Sequence, residues 1–230
     1  MAGGCLGSAV LDPERLPVQD GTLFDLASLT KPLATALLAL QAEDRGELDL
    51  EARVPGGPFT FLQLLRHEAG YPSWMPVYAF AKGRDGVHRW LMRECPRGPA
   101  GAKTDYSCLG YILLGLLLEK ILHAPLDRLF AERVAGPLGL GPADTCFRPP
   151  EGLREGTAAT ERGPFHEADM TRQNGTDLPS FREPAGWGQV NDGNARALDG
   201  IAGNAGLFGR LEAVERLAGA FREGSSLLSA

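Results

Sequence analysis

The stretch FDLASLTKPLAT (residues 24–35) places Ser28 three positions before Lys31, at the start of an apolar run. Residues three apart on a helix share a face, so a helix over this stretch would bring the lysine amine close to the serine hydroxyl. A serine hydroxyl is a weak nucleophile near neutral pH and needs a base within hydrogen-bonding distance. The spacing therefore fits a nucleophile beside its proton acceptor. It also fits a serine that caps a helix, followed by an exposed lysine, and the pair alone does not decide between the two.

Composition and charge indicate a globular protein. The chain has 230 residues, of which 43% are hydrophobic and 23% charged. Its net charge of −6 argues against nucleic acid or an anionic membrane surface as a partner. We see no signal peptide and no apolar run long enough to span a membrane, so we expect a cytoplasmic protein. The four cysteines and four histidines are dispersed without metal-ligand spacing, and we therefore expect no metal and no cofactor.

Hydrophobic periodicity predicts a helix-rich chain with little sheet. A short strand is expected within residues 4–11, and a weaker strand signal lies at 201–209. Residues 147–200 are rich in Gly, Pro, Asn and Asp, and we expect them to be mostly irregular. The helices predicted from apolar spacing and end signals cover residues 28–43, 58–67, 85–94, 109–122, 125–134 and 211–223.

Seven stretches of this sequence resemble one protein family in the order in which that family carries them. FDLASLTKPLAT resembles the nucleophile segment of the serine β-lactamase-like hydrolases, which include class C β-lactamases, DD-peptidases and related esterases. The resemblance spans roughly residues 20–220. The other six stretches that carry it are FTFLQLLRHEAGYP, DYSCLGYILLGLLLEK, PLDRLFAERVAGPLGL, AATERG, GQVNDGNARALDG and IAGNAGLFG.

The resemblance implies an α+β fold in which an antiparallel sheet is flanked by helices and joined to a mostly helical subdomain. On this pattern, residues 1–45 hold the N-terminal strand and the nucleophile helix, and residues 46–199 form the helical, loop-rich subdomain. Residues 200–230 return to the α/β part. Because strand signals are few, we expect the sheet to be incomplete.

Carried over by position, the resemblance implies three catalytic residues. Ser28 would be the acylated nucleophile, Lys31 its proton partner, and Tyr106 the tyrosine of the family's second motif. Without the resemblance, Tyr106 would be interpreted as a buried aromatic residue capping the helix that follows. The implied function is a serine hydrolase that forms an acyl-enzyme on Ser28. Its substrate would be a small carboxylic ester, or a β-lactam or D-Ala-D-Ala-like amide.

The sequence departs from the family at several of these motif positions. Cys108 stands where the second motif ends in Asn or Asp, a position that binds substrate. A thiol is a weak hydrogen-bonding group, so amide substrates should suffer more than simple esters. Asn191 and Asn204 each replace a histidine of the family pattern. His67 matches a family histidine, and we expect its role to be structural.

The family's third motif, Lys or His followed by Thr or Ser and Gly, has no match. Lys103 and Thr104 are followed by Asp105. The resemblance implies that this motif supplies half of the oxyanion hole, and losing one such donor costs on the order of 10²–10³ in rate. The chain would then be a truncated version of a longer protein, or a degenerate relative that covers its incomplete sheet, for example as a homodimer. The alternative function is a catalytically impaired or non-catalytic binding protein on the same scaffold.

Overall fold

A computed structural model of the chain describes residues 4–161, 163, 165–173, 186–222, 224–225 and 227–228. Within them, the strands are β1 (Ser8–Val10), β2 (Leu16–Pro17), β3 (Phe24–Asp25), β4 (Thr145–Phe147) and β5 (Leu207–Gly209). The helices are α1 (Leu37–Asp44), α2 (Phe61–Leu65), α3 (Val77–Phe80), α4 (Gly83–Arg93), α5 (Cys108–Ile121), α6 (Leu126–Phe130), α7 (Glu151–Arg154), α8 (Phe165–Gln173), α9 (Gly193–Arg196) and α10 (Leu211–Gly219).

Helix α5 is the centre of the hydrophobic core. Every residue from Leu109 to Leu118 is buried, as expected for a segment that is apolar on all sides. It packs against α2, α4 and α6. Its start is fixed by Ser107, whose Oγ accepts a hydrogen bond from the Gly110 amide at 3.2 Å. The core therefore orders the chain directly after Tyr106.

Two small antiparallel sheets accompany the helices, which confirms the predicted α+β class with an incomplete sheet. Strands β1 and β2 form one pair, and β3, β5 and β4 form a three-stranded sheet with β5 in the centre. Asp25 and Cys146 both align with Phe208. An apolar cleft of about 630 Å³, partly lined by Leu29 and Leu211, lies open on the surface beside these elements. An open apolar face of this kind is consistent with a sheet that lacks strands.

Each predicted helix overlaps a helical segment, but the nucleophile helix begins irregularly. A 3₁₀ turn (Ala27–Leu29) and a π-helical segment (Lys31–Ala36) precede α1. Pro32 lies near the start of the π-helical segment, where a missing N–H costs little. The expectation that residues 147–200 are mostly irregular did not include the helices α7, α8 and α9. Residues 162, 164 and 174–185 of that range lie outside the described residues. Strand β4 was also not predicted.

A close approach of two glycines holds the segment before β5 against α5. A Cβ atom placed on Gly203 would lie 2.0 Å from the Tyr111 carbonyl oxygen. A Cβ atom on Gly115 would lie 2.9 Å from the Gly203 Cα atom. Only glycine fits at such a backbone contact. This contact places Asn204 next to the nucleophile helix.

Within the described residues, no single helix has both the length and the apolar character needed to cross a bilayer. One helix pair, Cys108–Ile121 with Leu126–Leu138, is long and apolar enough when its two segments are taken together, but the pair is bent by 80°.

Candidate active site

The turn that carries Ser28 is held by the side chain of Asp25 at the end of β3. Asp25 Oδ1 accepts a hydrogen bond from the Ala27 amide at 2.9 Å, and Oδ2 accepts one from the Asn191 amide at 2.8 Å. Burial raises the pKa of the Asp25 carboxyl, although both amides act in the opposite direction. Ala27 adopts a left-handed backbone conformation with a φ of 46°. The chain thus turns sharply and presents Ser28 at the surface.

The Ser28 hydroxyl is the meeting point of two candidate catalytic groups. Lys31 Nζ lies 2.9 Å from Ser28 Oγ, and the Tyr106 hydroxyl lies 2.8 Å from the same atom. The capping interpretation is wrong, because Leu26 occupies the cap position of the turn and Lys31 is only 2% exposed. The buried-aromatic interpretation of Tyr106 is also wrong, because the residue is 49% exposed. The structure therefore brings together all three side chains implied by the resemblance.

The Lys31 amine has three hydrogen-bonding partners. Besides Ser28, its Nζ atom lies 3.4 Å from Cys108 Sγ and 3.2 Å from the main-chain oxygen of Asn204. It also lies 4.8 Å from the centre of the Tyr106 ring, within range of a cation–π contact. The amine is thus held in one place.

Cys108, for which the resemblance implies a substrate-binding role, lies beside the lysine amine. Burial raises the pKa of the Cys108 thiol, and this effect is larger than the opposing effect of the Lys31 charge. The group is therefore a neutral thiol near pH 7, a weak donor and a weaker acceptor. In this state it contributes less to a hydrogen-bonding site than a carboxamide does.

The two asparagines that replace family histidines lie in different surroundings. Asn204 is fully buried, and its Nδ2 donates to Asp192 Oδ2 at 3.1 Å. Its main-chain oxygen is the group that contacts Lys31, a role that no side-chain pattern can predict. Asn191 instead donates from its amide to Asp25 and from Nδ2 to Glu161 at 3.3 Å. Sequence reasoning identified both positions but not these contacts.

His67 lies next to Tyr106 and was expected to be structural. Its ring centre is 4.8 Å from that of Tyr106 and 5.0 Å from that of Tyr111. Its Nδ1 atom accepts a hydrogen bond from the Ser107 amide at 3.0 Å. Burial, with a further contribution from the charge of Lys31, lowers the pKa of the imidazole. His67 is therefore neutral near pH 7.

The other candidate features of the sequence lie outside this cluster. Lys103 forms a surface ion pair with Asp105 at 2.7 Å, and its side chain is 74% exposed. Among the residues that the structure describes, no group of three His, Cys, Asp or Glu side chains converges as metal ligands.

Comparison with known proteins gives a family and a set of longer relatives. The family model described as Beta-lactamase matches residues 3–230. The Escherichia coli (strain K12) protein named "Putative D-alanyl-D-alanine carboxypeptidase" is 30% identical over 225 residues, which cover 87% of this chain and 50% of that protein. An N-acetylmuramyl-L-alanine amidase of Bacillus subtilis (strain 168) is 30% identical over 216 residues, 81% of this chain and 47% of the relative. The chain thus spans about half the length of the curated relatives it matches.

Solved structures show the same fold at lower sequence identity. A penicillin binding protein from Bacillus halodurans superposes with a TM-score of 0.69 and 21% identity, covering 97% of this chain and 67% of that one. A class C beta lactamase from Rhodobacter sphaeroides gives a TM-score of 0.65 and 23% identity, and the match covers 92% of this chain and 54% of that one.

Proposed function

The chain belongs to the beta-lactamase family, and from that premise we propose that it is a serine hydrolase forming an acyl-enzyme on Ser28. The observation that carries the proposal is the pair of hydrogen bonds at the exposed Ser28 oxygen, one to a buried lysine and one to a half-exposed tyrosine. A serine used only for structure has no need of two proton-transfer groups on a solvent-facing oxygen.

The proposed acylation step uses these groups in sequence. Ser28 Oγ attacks the carbonyl carbon of the substrate, and a C–O bond forms. The serine proton passes to whichever of Lys31 Nζ and Tyr106 Oη is unprotonated. The leaving oxygen or nitrogen then receives a proton from the same pair as its bond to carbon breaks. Water next attacks the acyl carbon, the bond to Ser28 breaks, and the carboxylic acid leaves while Ser28 regains its proton.

Cys108 supports an ester as the preferred substrate. A β-lactam or a peptide-like amide places a side-chain amide where it needs a strong hydrogen-bonding partner, and the neutral thiol offers a weak one. Simple esters do not depend on such a contact. The names of the relatives point to the amide class, because one is named "Putative D-alanyl-D-alanine carboxypeptidase" and another is named a penicillin binding protein. We therefore propose that both classes acylate Ser28 and that esters react faster.

The second candidate function is a binding protein without turnover, and Cys108 is the observation that favours it. If the weak thiol partner prevents productive substrate orientation, the protein would bind a substrate-like ligand without forming a covalent bond. The two functions differ in one measurable quantity, which is the mass added to Ser28.

The test is intact-protein mass spectrometry after exposure to a fluorophosphonate, a p-nitrophenyl ester or a penicillin. The wild-type chain should gain the mass of one phosphonyl or acyl group. The Ser28→Ala variant should gain none, whereas Ser8→Ala, which changes a serine of β1, should label like the wild type. Equal labelling of Ser28→Ala contradicts the proposal, and absence of any adduct on the wild-type chain favours the binding role.

A further inference from the structure

His67 contacts the main chain on both sides of Tyr106. Its carbonyl oxygen accepts a hydrogen bond from the Asp105 amide at 2.9 Å. Its Nδ1 atom accepts one from the Ser107 amide at 3.0 Å. These two bonds hold the residues before and after Tyr106, and so restrict the backbone at Tyr106.

The imidazole ring also holds the side chain of Tyr106. The ring contacts the aromatic rings of both Tyr106 and Tyr111, with centre-to-centre distances of 4.8 and 5.0 Å. His67 itself has a φ of 60°, a left-handed conformation that is uncommon outside glycine and costs on the order of 1 kcal/mol or more. Such a conformation persists only where surrounding contacts enforce it. Here it directs the carbonyl and the imidazole of one residue toward the same short segment.

From this geometry we infer that His67 is a positioning residue that sets the distance between the Tyr106 hydroxyl and Ser28, an inference that rests on the proposed function of the site. Tyr106 is half exposed, so packing alone holds its side chain weakly. Its hydroxyl must nevertheless stay within 2.8 Å of Ser28 Oγ. A displacement of about 1 Å in a reacting group costs on the order of 10²-fold in rate. The two main-chain bonds and the ring contact together restrict that displacement.

The contact with Ser107 requires a neutral imidazole, because only the unprotonated Nδ1 has a lone pair to accept the amide proton. The groups that face the ring are the Lys31 amine and the hydroxyl-bearing rings of Tyr106 and Tyr111. None of them is an acid that would favour the protonated form near pH 7. Acidification that protonates His67 should therefore release the Ser107 amide.

Asparagine is the conservative replacement at this position. Its Oδ1 atom can accept the same amide proton as Nδ1, and asparagine tolerates a left-handed backbone. Alanine offers no acceptor. The matched control is His123→Ala, because His123 is an exposed histidine with a φ of 53° in the turn after α5. It carries the same backbone cost without the contacts to Tyr106.

The experiment measures two quantities on the full chain of each variant. The first is hydrogen exchange of the Ser107 amide by NMR, which does not depend on activity. The second is the second-order rate of Ser28 labelling by a fluorophosphonate across pH 5–9. We expect His67→Ala to speed Ser107 exchange at least about tenfold and to slow labelling about 10- to 100-fold. We expect His67→Asn to remain within about threefold of the wild type in both the Ser107 exchange rate and the Ser28 labelling rate near pH 7. Its labelling rate should no longer show the decrease at low pH that protonation of His67 causes in the wild type.

Each outcome separates this inference from the proposed function. Unchanged Ser107 exchange in His67→Ala overturns the inference, whether or not the chain labels. Faster exchange with unchanged labelling overturns it as well, because the contact would then be structural only. A wild-type chain that takes no label contradicts the proposed function, and the exchange comparison still decides whether His67 holds the Tyr106 segment. If His67→Ala does not fold, His67→Gly replaces it, since glycine adopts this backbone conformation freely.

Discussion

The Nζ atom of Lys31 lies 3.2 Å from the main-chain oxygen of Asn204, so a peptide carbonyl helps to hold the amine of the candidate site. The Asn204 side chain points its amide to Asp192 instead. The position of the lysine therefore depends on the path of the backbone around residue 204 more than on the side chain there. That path is set by the contact of Gly203 with α5.

Replacing Gly203 with alanine should disturb both stability and the site. The new Cβ would lie 2.0 Å from the Tyr111 carbonyl oxygen, a distance that forces the backbone to move. We expect a loss of at least about 2 kcal/mol in the free energy of unfolding, measured by urea denaturation, together with slower Ser28 labelling. The control is Gly219→Ala at the end of α10, where a Cβ meets nothing within 4 Å. That variant should be unchanged or about 0.5 kcal/mol more stable. A Gly203→Ala protein as stable as the wild type would show that the close contact is absent in solution.

Removing the hydroxyl of Tyr106 should separate the role of that hydroxyl from the role of the aromatic ring. Tyr106→Phe keeps the ring against His67 and Lys31 but deletes the group 2.8 Å from Ser28. We expect the rate of Ser28 labelling to fall about 100-fold or more, with little change in melting temperature. Tyr111→Phe is the control. The Tyr111 ring also contacts His67, but its hydroxyl donates a hydrogen bond to the Leu65 carbonyl oxygen at 3.1 Å and not to Ser28. Equal labelling rates in the two variants would remove Tyr106 from the proposed mechanism.

Cys108→Asn should shift the substrate preference toward amides. A carboxamide donates and accepts hydrogen bonds more strongly than a thiol does. Position 108 lies beside the Lys31 amine. We expect the ratio of acylation rates for a chromogenic β-lactam over a p-nitrophenyl ester to rise about tenfold, the effect of roughly one hydrogen bond. Cys146→Ser, at a thiol in β4, should leave the ratio unchanged. A fall in the ratio for Cys108→Asn would show that the thiol itself contributes to amide turnover.

Glu167 should make the stability of the chain depend on pH. Burial, the dominant effect, raises the pKa of this carboxyl in α8, and the nearby charge of Asp192 acts in the same direction. Tyr78, the Gly193 amide and Arg196 act in the opposite direction. The folded chain then holds a proton that the unfolded chain releases, so this contribution is fully present at low pH and is lost as pH rises through the raised pKa.

Glu167→Gln lacks this titration. We expect its free energy of unfolding to rise relative to that of the wild type as pH increases from the ordinary carboxyl pKa through the raised pKa of Glu167, and then to level off. Glu155→Gln, which changes an exposed glutamate after α7, is the control for the substitution itself. A constant difference between Glu167→Gln and the wild type would contradict the raised pKa.

Most of what we predicted about the site came from the order of the family-like stretches along the sequence. The SLTK and YSC stretches identified Ser28, Lys31, Tyr106 and Cys108 through the family pattern, and the structure places these four side chains together. Their catalytic roles remain predictions. Spacing within one helix predicts that Ser28 and Lys31 meet, but nothing local predicts that Tyr106 reaches them.

The contacts that sequence could not predict are made by the backbone or by very short elements. Asn204 contributes a carbonyl that every residue possesses, so its identity gives no signal. Strand β4 has three residues, too few for alternation to be recognised, and pairs only because β5 lies beside it. His67 was expected to be structural, yet its contacts with both neighbours of Tyr106 depend on a left-handed φ that its sequence context does not reveal.

The central position of β5 in the three-stranded sheet has a consequence for biosynthesis. Both edge strands precede it in the chain, and the oxygen that holds Lys31 lies 173 residues after that lysine. At about 5–20 residues per second, a ribosome needs on the order of 10–35 s to pass from one to the other. During that interval β3 has no β5 to pair with, so the candidate site is completed only after most of the chain has been synthesised.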